Sequence, residues 1–202
     1  MNETMNRNSK SHAAQRKGKE VDEESKRQRD LETSAHVIVE QTASKCHYLG
    51  NHTFCKTEKG YIVYPKALNI VWGNDERFWR LPKYENDVAE LIQINWLEVT
   101  GCIDNIVEKK SHDIGFTMSL MTDAFGWNDS PVYIMAKWGD NAQWRKVNLT
   151  SEKDKKMIQK TITITKGKGN PDDKLCFGLY EVWNKTWKGG LKIHCVNLTE
   201  RS

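Results

Sequence analysis

The chain is expected to fold as an all-β, two-sheet antiparallel β-sandwich of jelly-roll type, and three observations predict it. From residue 60 onward, apolar residues recur with period 2 in a series of short segments, the pattern of strands with one buried face. Gly, Asn, Asp and Pro separate these segments, and no amphipathic helical pattern competes with them. Finally, 8 Trp occur in 202 residues although mean hydropathy is only −0.74. That mismatch points to an aromatic-rich domain diluted by a polar segment.

Residues 1–45 are read as that segment. They hold no aromatic and no Pro, and their charges alternate in mixed blocks. Such a stretch buries too little apolar surface to offset its ordering entropy, so a charged, disordered extension is expected. A transient helix over 21–32 and an edge strand or partner contact at HVIVE, 36–40, are its only structural signals. Residues 46–59 form a linker containing CHYLGNHTFC. Its cysteines and histidines are zinc-ligand types, but the order Cys-His-x4-His-x2-Cys lacks the paired spacing of a zinc site, so no metal or cofactor is expected.

The domain proper is placed at 60–202, with strands predicted at 61–64, 68–72, 78–81, 89–103, 114–121, 132–138, 144–149, 157–165, 175–183 and 191–198. In the long run VAELIQINWLEVTGCID the apolar parity changes midway. A bulge does this, as does a chain crossing from one packing surface to another. Within it Trp96 is assigned to the core and Glu98 to solvent. The segments 114–121 and 132–138 suggest a hairpin about DAFGWNDSP, with Trp127 in its loop.

Charge excludes some classes of function. A net charge of +4 from 31 basic and 27 acidic residues is a small surplus without clustering, unlike a dedicated nucleic-acid binder. No apolar run approaches the roughly 20 residues that cross a bilayer. The N-terminal stretch has no apolar segment of the secretory kind, so a cytoplasmic location is expected. The Asn-x-Ser/Thr triplets at Asn51, Asn128, Asn148, Asn184 and Asn197 are then expected to be unmodified, and the cysteines to be free thiols. Cys46 and Cys55 are the candidates for cross-linking to another chain.

The stretch ALNIVWGNDERFW carries the candidate chemistry. Leu68, Ile70 and Trp72 alternate, Gly73-Asn74-Asp75 accepts turn geometry, and Phe78 and Trp79 follow. Trp72 and Trp79 could form an aromatic wall for the apolar face of a sugar; the same spacing is met by two core tryptophans. Near the C-terminus, Phe177 and Leu179 put Glu181 on core parity, so its carboxylate should be paired or line a pocket. Asn184, Lys185 and Trp187 lie in the turn before Gly189-Gly190.

Three motifs in one order, ALNIVWGNDERFWRLP, VAELIQINWLEVTGCID and LYEVWNKTWKGGLKI, resemble the phloem protein 2 family, which includes the tobacco-type jasmonate-inducible lectins. The pattern is most similar to the cucurbit phloem lectins, over residues 61–198. The resemblance implies a β-sandwich lectin of cytosol or phloem sap that binds N-acetylglucosamine oligomers and N-glycan cores. It further implies dimerisation, disulfide linkage to a structural phloem protein, and association with RNA. The family's binding tryptophans fall on Trp72 and Trp79 and its motif glutamate on Glu181. A further carboxylate would fall near Lys174, where this chain departs from the pattern; Asp173 is adjacent.

A lectin role is therefore expected, with Trp72, Trp79, Glu181, Asn184, Lys185 and Trp187 in the site and a defence or wound role. Its alternatives are a cysteine-linked filament component and an RNA carrier. A glycosidase would require two carboxylates about 5 to 9.5 Å apart, and the sequence pairs none.

Overall fold

The computed structural model describes residues 50, 54–84, 86–106, 110–150 and 156–201. The expected extension 1–45, with its helix and HVIVE segment, and Cys46, His47 and His52 of the linker lie outside the described residues.

Alternation decides which face of each strand meets the core, and it recurs in every long strand. In chain order the strands are β1 (Cys55–Thr57), β2 (Gly60–Val63), β3 (Asn69–Ile70), β4 (Trp79–Arg80), β5 (Ala89–Leu91), β6 (Leu97–Ile103), β7 (His112–Phe125), β8 (Val132–Trp138), β9 (Asn141–Val147), β10 (Ile158–Ile164), β11 (Leu175–Glu181) and β12 (Gly189–Glu200). A 3-10 turn, Pro65–Ala67, precedes β3.

All pairings are antiparallel and form two sheets. One is five-stranded in the order β3-β6-β11-β8-β9. The other has seven strands built around β12. One edge of β12 pairs with β7 along its length, and β7 pairs in turn with β10. The other edge of β12 takes β5 at Leu191–Ile193 and β2 at Val196–Thr199, end to end. A register shift between Ile193 and Cys195 reconciles the two halves: Leu191 and Ile193 face the core before it, Val196 and Leu198 after it. The core lies between the sheets. Val132, Ile134, Ala136 and Trp138 enter it from β8, and Ile114, Phe116 and Met118 from β7.

Several expectations are corrected here. The predicted strand 89–103 divides, with β5 in the seven-stranded sheet and β6 in the five-stranded one, so the parity change marks a crossing between sheets rather than a bulge. The predicted hairpin of 114–121 with 132–138 does not form, because β7 and β8 belong to different sheets. The turn between them packs inward instead: Trp127 is buried and its indole N–H donates to the Gly189 carbonyl at 2.8 Å. The free-thiol expectation fails for Cys102 and Cys176. They stand directly opposite each other on β6 and β11, 74 residues apart in sequence, and form a disulfide. Cys55 is a free, exposed thiol and Cys195 a free, half-buried one.

Gly126 fixes how the β7–β8 turn meets the chain ahead of β12. Its φ is +79°, and a Cβ there would lie 2.1 Å from the Trp187 carbonyl oxygen. Gly126→Ala is therefore expected to destabilise the fold by more than about 1 kcal/mol, combining left-handed strain with a backbone clash. Urea unfolding of the variant beside wild type measures this.

Candidate functional site

At the end of β11, strand parity delivers a carboxylate into the core, and the chain that follows is wound around it. Glu181 is 2% exposed and forms an ion pair with the fully buried Lys188 ammonium. A buried ammonium needs all three of its donors occupied. Beyond Glu181, the Lys188 Nζ donates to the carbonyls of Asn184 at 3.2 Å and Asn95 at 3.5 Å. The other Glu181 oxygen accepts from the Asn184 backbone N–H at 2.8 Å. Lys188 also exchanges both backbone hydrogen bonds with Ile94, at 2.8 and 2.9 Å. The crossing between β5 and β6 is thereby tied to the turn before β12.

Asn184 braces the same turn from outside. Its Oδ1 accepts from the backbone N–H of Thr186 at 3.1 Å and from the Thr186 hydroxyl at 2.6 Å. Its Nδ2 donates to the Asp129 carbonyl and the Ser130 hydroxyl, both at 3.1 Å. The amide is fully engaged, so Asn184 is a support of the turn rather than the sugar contact expected from sequence. Glu181 is likewise a support, shut off from solvent by its pairing. Lys185 is exposed at the crest of the turn, and Trp187, 47% exposed, stands out from it.

Trp187 meets the segment after β3. Its ring stacks near that of Phe78, centroids 6.3 Å apart at 23°. Phe78 in turn meets Trp72 edge-on at 5.8 Å. The result is a three-ring strip. Trp72 reaches it through a backbone change that alternation did not foretell: β3 ends at Ile70, and Trp72 takes φ +62°, in the left-handed region that bulky residues avoid. The turn is closed by Gly73 N–H to the Ile70 carbonyl and Asp75 N–H to the Trp72 carbonyl. Instead of following Leu68 and Ile70 inward, the Trp72 indole is 37% exposed. Asp75 and Arg77 pair at 2.7 Å, which holds the Asp75 carboxyl below its ordinary range and sets the guanidinium 5.4 Å from the Phe78 centroid.

Trp79 departs from its expected role. It is 1% exposed, packed between the sheets, and cannot serve as a wall for ligand. Phe78, the residue before it, takes the place between Trp72 and Trp187. Asp173 is the carboxylate next to Lys174, where the chain departs from the family pattern. It lies before β11 starts, eight residues or roughly 26 Å of extended chain from Glu181, and its carboxylate accepts from the Asn170 N–H at 2.8 Å. Lys188 was missed by sequence reasoning. The signal was Glu181 itself, since a carboxylate on core parity demands a cation nearby.

Trp96 and Glu98 exchange their expected places. Trp96 is 41% exposed, whereas Glu98 is 3% exposed. Burial pushes the Glu98 carboxyl up to about 7, against the opposing effect of a hydrogen bond from the Trp96 indole N–H at 2.9 Å. Glu98 stands opposite Tyr180 on the outer face of the sheet while Glu181 points inward, so these two carboxylates cannot flank one glycosidic bond.

Two outcomes are expected. Lys188→Met strands the buried Glu181 carboxylate and should cost about 3–5 kcal/mol of stability, with part recovered in the double variant Glu181→Leu/Lys188→Met; denaturant titration measures both. For Glu98, a folded-state pKa above the ordinary 4.5 means that the folded chain holds the proton more tightly. Stability from this group is therefore present below pH 4.5 and falls as pH rises towards about 7, by up to about 3 kcal/mol. Glu98→Gln should remove that part of the slope in thermal melts taken across this range.

Residues 58–199 match the family model described as Phloem protein 2. Among curated relatives, "Protein PHLOEM PROTEIN 2-LIKE A9" of Arabidopsis thaliana is 39% identical over 152 residues, covering 67% of this chain and 84% of that one. A "Lectin" of Luffa acutangula is 33% identical over 97 residues, covering 44% and 46% respectively. Among solved structures, "Family 16 Carbohydrate Binding Module-2" aligns over 69% of this chain and 86% of its own, at 8% identity and a TM-score of 0.38. With the family model spanning most of the described sandwich, including the three-ring strip and the ion pair beneath its turn, the chain belongs to the phloem protein 2 family.

Proposed function

We propose that the protein is a lectin that binds N-acetylglucosamine oligomers on the Trp72–Phe78–Trp187 strip. The observation that carries this reading is a three-ring strip in which Trp72 and Trp187 are exposed on either side of Phe78, with Trp187 standing on a turn braced by a buried ion pair. Soluble proteins seldom maintain a strained backbone and a desolvated charge pair to display indoles to water. The exposed indoles of Trp72 and Trp187, joined through Phe78, offer aromatic faces for the apolar side of a sugar ring. Lys185, exposed in the same turn as Trp187, supplies a donor for hydroxyl and acetamido oxygens. The phloem protein 2 family and the name of the Luffa relative support a carbohydrate ligand.

Affinity at one such site should be weak, on the order of micromolar to millimolar, since a small polar ligand leaves little surplus over the cost of association. Homodimerisation and multivalent glycans would raise it. The proposed setting is the cytoplasm and phloem sap, in defence or wounding. The exposed thiol of Cys55 favours an accompanying role as a filament component disulfide-linked to a structural phloem protein. An RNA-carrying role would coexist with either.

Titration calorimetry with chitotriose tests the site. Wild type should bind, and Trp187→Ala and Trp72→Ala, each verified as folded by circular dichroism, should bind at least tenfold more weakly, a loss of about 1.4 kcal/mol. A folded Trp187→Ala variant that binds like wild type contradicts the assignment. For Cys55, a Cys55→Ser variant should lose the linked species seen on non-reducing gels of oxidised extract.

A further inference from the structure

The outer face of the five-stranded sheet is built unlike a solvated sheet surface. Such a face ordinarily carries polar side chains in water. Here Glu98, Tyr180 and Tyr133 stand opposite one another on β6, β11 and β8, and they are 3%, 2% and 6% exposed. In the next row Gly178 has no side chain, and the Tyr180 ring lies down over it; a Cβ there would be 2.4 Å from the ring. Trp144 on β9 packs 5.7 Å from Tyr180, and Trp183 packs 4.9 Å from Tyr133. Trp96 bonds to one oxygen of Glu98 and stays exposed above it.

Three buried polar atoms on this face have no hydrogen-bond partner among the described residues: Glu98 Oε1, the Tyr133 hydroxyl and Trp144 Nε1. Native proteins rarely leave such groups unmatched. Together they offer an acceptor, a group that both accepts and donates, and a donor, interleaved with aromatic planes. That mixed polarity selects a ligand class. A cation would satisfy Glu98 and leave the indole N–H unmatched, and an anion would meet the Glu98 carboxylate. Hydroxyl and acetamido groups on an uncharged ring can answer all three. The face also begins where the aromatic strip ends, since the Glu98 carbonyl accepts from the Val71 N–H, one residue before Trp72.

We propose that the outer face of the five-stranded sheet is a second saccharide-binding surface, with Glu98, Tyr133 and Trp144 as its polar contacts, opened by rotation of the Trp96 indole away from Glu98. Its ligand class rests on the lectin reading above, while its residues are a different set.

The indole N–H signals of the full chain in a ¹⁵N correlation spectrum, assigned by single Trp→Phe variants, report the two surfaces separately during titration with chitotriose. The signals of Trp96 and Trp144 are expected to shift, with their own midpoint, alongside those of Trp72 and Trp187. In Glu98→Gln/Tyr133→Phe the Trp96 and Trp144 shifts should vanish while the Trp72 and Trp187 shifts persist; if that variant does not fold, removal of the indole donor alone by Trp144→Phe should abolish the Trp96 shift. Movement of Trp72 and Trp187 alone overturns this proposal and leaves the strip as the lectin site. Movement of Trp96 and Trp144 alone supports it and overturns the strip. No movement of either pair overturns both. Shifts of Trp96 and Trp144 with tetramethylammonium but not with chitotriose identify a cation cage and overturn the saccharide assignment.

Discussion

The buried ion pair between Glu181 and Lys188 is the constraint on which the end of the molecule carrying Trp72, Phe78 and Trp187 depends. It is costly on its own terms, because two charges leave water, and it persists only because every remaining donor and acceptor is matched. That matching dictates the path of the chain. The turn from β11 to β12 closes around the ammonium, the crossing from β5 to β6 is pinned by two backbone bonds to Lys188, and the β7–β8 turn packs Trp127 and Gly126 against the same stretch. Once these three connections are fixed, Trp187 has no inward position to take.

The strip follows from that exclusion together with a second local constraint. Trp72 leaves the strand alternation through a left-handed residue, and Phe78, between two indoles, makes both contacts that turn separate rings into one surface. The proposed contacts centre on Trp72 and Trp187, which are exposed, while Phe78 between them packs partly against the core. The neighbouring Trp79, identical in chemistry, is consumed by packing, which separates the two tryptophans by role rather than by type.

Period-2 alternation carried most of the fold. It placed β8, β10 and β11 within two residues of their bounds and put Glu181 on core parity. What it missed depends on information that local patterns lack. The change of parity in 89–103 was visible, but assigning β5 and β6 to different sheets requires their partners. Placing Trp96 in the core extended the parity of Ile92 and Ile94 across that crossing, where it no longer applies. Glu98 reads as solvated because an outward residue ordinarily is; its burial comes from bulky neighbours on other strands. The Cys102–Cys176 pair requires the register of β6 against β11. Spacing alone could not distinguish Trp72 from Trp79, since one backbone dihedral decides between them.

In the proposed site, the buried pair shapes the turn and the turn presents the proposed binding surface. Chitotriose calorimetry on Glu181→Gln, held under conditions where circular dichroism shows the sandwich folded, tests it most directly. The folded variant is expected to lose most of its affinity although no residue of the strip has changed. A folded Glu181→Gln variant with wild-type affinity would contradict the claim.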